Sequence, residues 1–74
     1  KLITQADAAL AQRGGLTGVF VVGENNRLNY RWVRTGRRED GLTEITAGLQ
    51  AGETILAQVP ETVRDGDHLQ PQAP

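Results

Sequence analysis

The chain contains no cysteine, no methionine and no serine, a single histidine, His68, and a single lysine, Lys1. Without a Ser or Cys nucleophile, neither a Ser/His/Asp nor a Cys/His hydrolytic arrangement can be assembled. A self-activating N-terminal threonine is excluded because the first residue is Lys1. The one cluster of ligand-type residues, Asp65, Asp67 and His68 around Gly66, lacks the further oxygen ligands of a calcium loop and the spacing of a zinc site, and reads as a polar turn. The acid pairs Glu39 with Asp40 and Asp65 with Asp67 lie beside glycines and read as solvated turn residues rather than a general acid and base. These scarcities predict a protein that is not an enzyme and that has no catalytic residue, no cofactor and no metal site. No run approaches the roughly 18 to 20 consecutive apolar residues of a membrane-spanning helix. Lys1 to Leu10 also lacks the charged start and long apolar centre of a signal peptide. Absence of cysteine fits an oxidising and a reducing compartment equally well.

What is present is small. A chain of 74 residues buries only roughly 60% of the surface it exposes when unfolded, so one domain of marginal stability is expected. That domain is placed at residues 1–70, with residues 71–74 as a frayed, proline-bearing tail. Opening on Lys1 instead of Met, and lacking any staple, the chain is expected to be part of a longer protein.

Charge is segregated along the sequence although the net value is only -1. Arg27, Arg31, Arg34, Arg37 and Arg38 follow one another with no acid between them, and from Glu39 to Asp67 seven acids face Arg64 alone. Neighbouring strands are therefore expected to pair opposite charges. Tyr30 and Trp32 among the arginines imitate a platform for single-stranded nucleic acid, where aromatics stack on bases. A net charge of -1 supplies no general attraction to a polyanion, and both aromatics lie on the face that their strand has most need to bury. The expectation is no nucleic-acid partner, with Arg31, Arg34, Arg37 and Arg38 as the candidate rim for another protein. A small OB-like β-barrel that binds nucleic acid or sugar is the alternative reading, since fold alone does not settle function.

The pattern is mostly β. Val19 to Val22 is a continuous β-branched and aromatic run between Gly18 and Gly23, which predicts a strand covered on both faces. Glu24-Asn25-Asn26-Arg27 is a turn, because Asn tolerates left-handed backbone angles, and it leads into a strand over Leu28 to Thr35. Alternation on that strand puts Leu28, Tyr30, Trp32 and Arg34 on one face, with Trp32 as its anchor. Further strands are predicted at Thr43 to Ala47 around Ile45, at Thr54 to Val59, and at Asp67 to Gln70. Lys1 to Gln12 is expected to hold one short helical turn after a strand end, stopped by Arg13-Gly14-Gly15, and Glu61 to Arg64 a turn, with at most one helical turn near each end. The architecture expected is a small antiparallel sheet or partial β-barrel of about five short strands.

Four motifs run in a recognisable order: Val19 to Val22, the aromatic and basic strand ending at Gly36, the turn Gly48-Leu49-Gln50-Ala51-Gly52-Glu53, and the close Asp65-Gly66-Asp67. Over residues 13–70 this resembles the C-terminal, membrane-proximal region of periplasmic adaptor subunits of tripartite RND-type efflux pumps, the membrane fusion proteins of the HlyD-like family. Residues 1–12 depart from it, with Ile3-Thr4 where the family usually carries a proline. The resemblance implies a structural and interaction domain of an adaptor that couples an inner-membrane transporter to an outer-membrane channel. It implies an RND-type transporter and other adaptor protomers as partners, and contact with the outer channel only through the full-length adaptor. It places the chain in the periplasm, with membrane association only through the full-length protein. It also implies a discontinuous domain whose remaining strand comes from outside this sequence, leaving an open edge that the isolated chain covers by dimerising, by strand swapping or with charge.

Overall fold

The computed structural model describes residues 3–69. Six strands, β1 (Ile3–Ala6), β2 (Ala11–Arg13), β3 (Leu16–Val22), β4 (Leu28–Trp32), β5 (Arg34–Glu39) and β6 (Leu42–Ala47), form two antiparallel three-stranded sheets, in the orders β1-β6-β5 and β2-β3-β4. The helical content is two 3₁₀ turns, Asp7–Ala9 and Glu24–Asn26. The chain is mostly β, as its alternation predicts, with six strands instead of five.

Tight turns set the register. Arg13 pairs with Leu16 across Gly14 and Gly15, whose φ values are 61° and 80°. Glu39 pairs with Leu42 across Asp40 and Gly41, at 55° and 76°. Two central residues at positive φ define the hairpin turn whose twist matches that of the flanking strands, and Gly-Gly and Asp-Gly are preferred there. Gly14-Gly15 therefore joins two strands instead of stopping a helix, and Asp40-Gly41, an exposed turn as expected, is the turn of the β5–β6 hairpin. The third connection runs through Asn25 and Asn26, at 57° and 60°, which is the turn expected of Glu24 to Arg27.

β3 is the centre of the molecule. Val19, Phe20 and Val21 are 0%, 1% and 7% exposed, so this strand is covered on both faces as predicted. One face holds Phe20 with Ala11 and Leu28, closed over by Val22, Tyr30, Leu56, Val59 and Val63. The other bears Thr17, Val19 and Val21 and looks across a cleft toward Thr35 and Thr43 of the second sheet, where Ile45 is also buried. Full burial of a side chain the size of Phe20 contributes about 1.5–3 kcal/mol.

The segment from Gly48 to Leu69 is an arm, not a pair of strands. Where strands are predicted at Thr54 to Val59 and Asp67 to Gln70, the described residues hold single bridges, Val21 to Ile55 and Arg27 to His68, and Gln70 lies outside the described residues, as do residues 71–74. Val22 N–H donates to Thr54 O at 2.8 Å and Leu56 N–H to Phe20 O at 3.0 Å, so the arm pairs with β3 beyond the end of β2. Farther on, Leu28 N–H donates to Asp67 O at 2.6 Å and Gly66 N–H to Leu28 O at 2.7 Å, covering the outer edge of β4. Pro60 turns the chain between these two contacts, accepting from Val63 N–H at 3.2 Å.

Two further expectations are corrected. The strand from Leu28 to Thr35 is broken at Val33, whose N–H donates to Thr17 O at 3.1 Å, so Arg34 begins a strand of the other sheet. Trp32 is not an anchor: it is 65% exposed. Its cross-strand partner is Gly18, which offers no side chain, and the apolar arm packs over Phe20, Leu28 and Tyr30 but stops short of it. The anchoring is done by Tyr30. Its ring lies 5.2 Å from that of Phe20, and its hydroxyl is 2.9 Å from both Ala11 O and Leu16 O, donating its one proton to either. A Cβ on Gly18 would meet the Tyr30 ring at 2.5 Å and the Arg31 carbonyl at 2.6 Å, so this glycine is the seat of the ring.

Gly18→Ala is therefore expected to destabilise the chain by about 1–3 kcal/mol, the usual cost of overpacking a filled site. At Gly23 an added Cβ meets only the Asn29 side-chain amide at 3.2 Å and Arg27 O at 3.6 Å, so Gly23→Ala should be close to neutral. Urea unfolding of the two variants side by side checks this.

Candidate partner-binding surface

The four candidate arginines do not form one patch. β4 carries Arg31, whose Nη1 donates to both carboxylate oxygens of Glu53 and lies 3.5 Å from Gly48 O. Glu53 in turn accepts from Gln50 N–H at 2.8 Å, so the pair closes the Gly48 to Glu53 turn onto β4. The Arg31 hydrogen bond, assisted by that from Gln50, holds the Glu53 carboxyl below its ordinary pKa. Arg31 is thus a fastener for the arm, in place of a free rim charge.

Arg37 and Arg38 are neighbours in the sequence and face opposite ways, as successive residues of a strand do. Arg38 enters the cleft between the sheets, where its Nε lies 3.3 Å from Asp7 Oδ2 while Thr43 Oγ1 donates to Asp7 Oδ1. That cleft, about 510 Å³, is lined by polar groups of both sheets. Thr43 is only 3% exposed, and its hydroxyl bond to Asp7, followed by the charge of Arg38, lowers the Asp7 pKa. Arg37 lines a separate hollow with Thr4, Leu42 and Glu44 on the other side of the sheet, and its Nε is 3.9 Å from Glu39 Oε1. Both of those side chains are largely exposed, and such a pair holds little. A bulge between Thr35 and Arg38 places Gly36 and Arg37 opposite Glu44, which accepts from Arg37 N–H at 2.9 Å.

Arg34 differs from the other three. Among the described residues its guanidinium has neither an ion pair nor a hydrogen bond. It lines a shallow hollow of about 380 Å³ with Leu16, Trp32, Val33, Ala47 and Gly48. Leu16 and Trp32 are exposed and apolar, whereas sequence alternation alone assigns Trp32 to the core. No local signal marks its exposure, because the reason lies on a different strand, at Gly18. Asp65, expected to be a solvated turn residue, accepts the Tyr30 N–H at 2.9 Å and so ties the arm to β4. Asp67 accepts from Arg64 N–H at 2.9 Å within the same turn.

Among the described residues, no group of three or more His, Cys, Asp or Glu side chains is placed to hold a metal ion. No helix among them is long and apolar enough to cross a membrane.

Two small antiparallel sheets with short hairpins, one of them wrapped by a non-regular arm, define a small β module whose distinctive features are surfaces. The family model described as the CzcB C-terminal circularly permuted SH3-like domain matches residues 3–59, most of the chain. The chain belongs to this family and is an efflux adaptor domain, a C-terminal domain of an RND efflux membrane fusion protein. The family is that of a structural adaptor domain. No curated protein and no solved structure matches the chain.

The two depressed carboxylates fix an acid limb of stability. Asp7 and Glu53 titrate lower in the folded than in the unfolded state, so their contribution is complete above the unfolded carboxylate values, about 4. It is lost as the pH falls through those values and then through the lower folded ones. The urea midpoint of the native chain should fall on acidification from about pH 6 to about pH 3. In a Asp7→Asn, Glu53→Gln double variant that fall should be smaller; an unchanged acid limb would show that neither pairing matters.

Proposed function

We propose that the chain is the interaction domain through which a periplasmic efflux adaptor engages an inner-membrane RND-type transporter and neighbouring adaptor protomers. The complete adaptor then couples that transporter to an outer-membrane channel. The observation that carries this reading is the family match over residues 3–59, and the surface chemistry is consistent with it. A buried β3 and a closed arm give a rigid body, so weak contacts made by loops and rim side chains are presented in fixed positions. Repetition of the domain in an oligomer raises the effective concentration of each contact without new chemistry. The periplasm is the compartment proposed, with membrane association through the parent protein. Residues 1–70 are proposed to act as a single domain, because the arm up to Leu69 contributes hydrogen bonds to β4.

Among the four arginines, Arg34 and Arg37 supply accessible charge to partners, while Arg31 and Arg38 reach that surface through what they hold in place. Charge reversal should separate these roles. Arg37→Glu in the full adaptor is expected to impair export severalfold while the thermal unfolding of the domain stays within a few degrees of native. Arg38→Glu places a second carboxylate beside Asp7 and should lower the unfolding temperature as well. Export measured in cells, alongside unfolding of the 74-residue chain, checks both, and undiminished export by Arg37→Glu removes Arg37 from the partner surface.

A further inference from the structure

The hollow beside Trp32 carries more than the general reading needs. Leu16 and Trp32 are 44% and 65% exposed and line it together, with Val33 and Ala47 extending the apolar floor. Single exposed apolar residues are ordinary, but a contiguous group that includes tryptophan and has a polar rim marks a contact site. Trp and Arg are also the side chains most enriched where binding energy concentrates.

The hollow is built, not incidental. Gly48, at a φ of 100°, brings the chain so close that an added Cβ would stand 2.5 Å from Trp32 O and 3.0 Å from Val33 Cα. Arg31 and Glu53 then lock the turn that begins at Gly48. One wall of the hollow is thereby fixed relative to the indole.

Charge defines the occupant. Arg34 is the only ionisable group in the lining, and among the described residues its guanidinium has no partner. The nearby Arg31 is already neutralised by Glu53. An anionic group seated at Arg34 meets one unpaired cation and no carboxylate of the lining, while the apolar floor requires hydrocarbon next to that anion.

We propose that the Leu16, Trp32, Ala47 and Arg34 hollow is a docking site for a partner polypeptide segment in which an aliphatic side chain adjoins an Asp or Glu. The aliphatic group covers the Trp32 indole and the carboxylate pairs with Arg34. This deepens the adaptor reading by naming the chemistry of the partner, and it rests on that reading for its biological setting.

The chain has one tryptophan, so its single indole N–H signal reports directly on the site. The 15N-labelled 74-residue chain is titrated with the peptide Ac-Gly-Leu-Asp-Leu-Gly-NH2 and with its Lys counterpart, Ac-Gly-Leu-Lys-Leu-Gly-NH2. The Asp peptide should shift the indole signal saturably, and more weakly as salt rises; the Lys peptide should bind at least about tenfold less well. Arg34→Glu should reverse that preference, and Trp32→Ala, followed through backbone amides around Gly48, should weaken binding about thirtyfold or more. Native-like amide dispersion in both variants shows that they fold. No saturable shift with either peptide, or equal shifts with both, overturns the proposal. The adaptor reading fails by a different result, when a parent adaptor lacking residues 3–69 exports normally, and the peptide titration is indifferent to that outcome.

Discussion

A strand buried on both faces cannot leave a backbone N–H or C=O without a partner, and in this chain that demand falls on β3. One edge is met by β4 over its whole length from Gly18 to Val22. The other is met by β2 only as far as Gly18, after which Phe20 and Val22 still point polar groups outward. Thr54 and Leu56 meet them, and this requirement explains why an irregular arm is wrapped so far around a molecule this small. Once the arm is brought to β3, its apolar residues Leu56, Val59 and Val63 lie over the Phe20 face, and its last turn seals β4. Backbone pairing, apolar cover and edge protection are thus supplied by one segment.

Tyr30 joins the parts that this arrangement brings together. Its ring occupies the space above Gly18, its hydroxyl serves the β2 and β3 carbonyls, and its N–H is taken by Asp65 from the arm. Arg31, next along β4, faces away and fastens the start of the same arm through Glu53. Two consecutive residues therefore secure the arm at both its near and far ends, one through a backbone N–H given to the Asp65 carboxylate and one through an ion pair with Glu53.

Much of the fold was legible because it is local. The run Val19 to Val22, the Asn25-Asn26 turn and the β6 segment around Ile45 each carry their own signal within a few residues. β1 was legible only as a strand end ahead of the short helical turn that Asp7–Ala9 forms, since its partner, Leu42 to Ile45, lies some forty residues away. β2 and β5 had a usable sign in the Gly14-Gly15 and Asp40-Gly41 pairs, whose preference for two-residue hairpins outweighs the helix-stop reading of the first and sharpens the turn reading of the second. The strands expected at Thr54 and Asp67 show the converse limit: alternation describes a chain able to pair, and here each segment finds room for a single bridge. The candidate surface was legible as a list of arginines but not as a geometry. Arg37 and Arg38 are split by the pleat of their strand, Arg31 and Arg38 are held in ion pairs with Glu53 and Asp7, and Trp32 lies opposite a glycine that offers no side chain to cover it.

The edge formed by β5 has a bearing on crowding. All six of its residues are exposed, three are arginines, and the bulge at Gly36 and Arg37 interrupts its ladder. A like strand from another molecule approaching alongside meets mutual repulsion and a mismatched spacing of amides and carbonyls. Sheet-to-sheet addition of copies along this edge is thereby disfavoured.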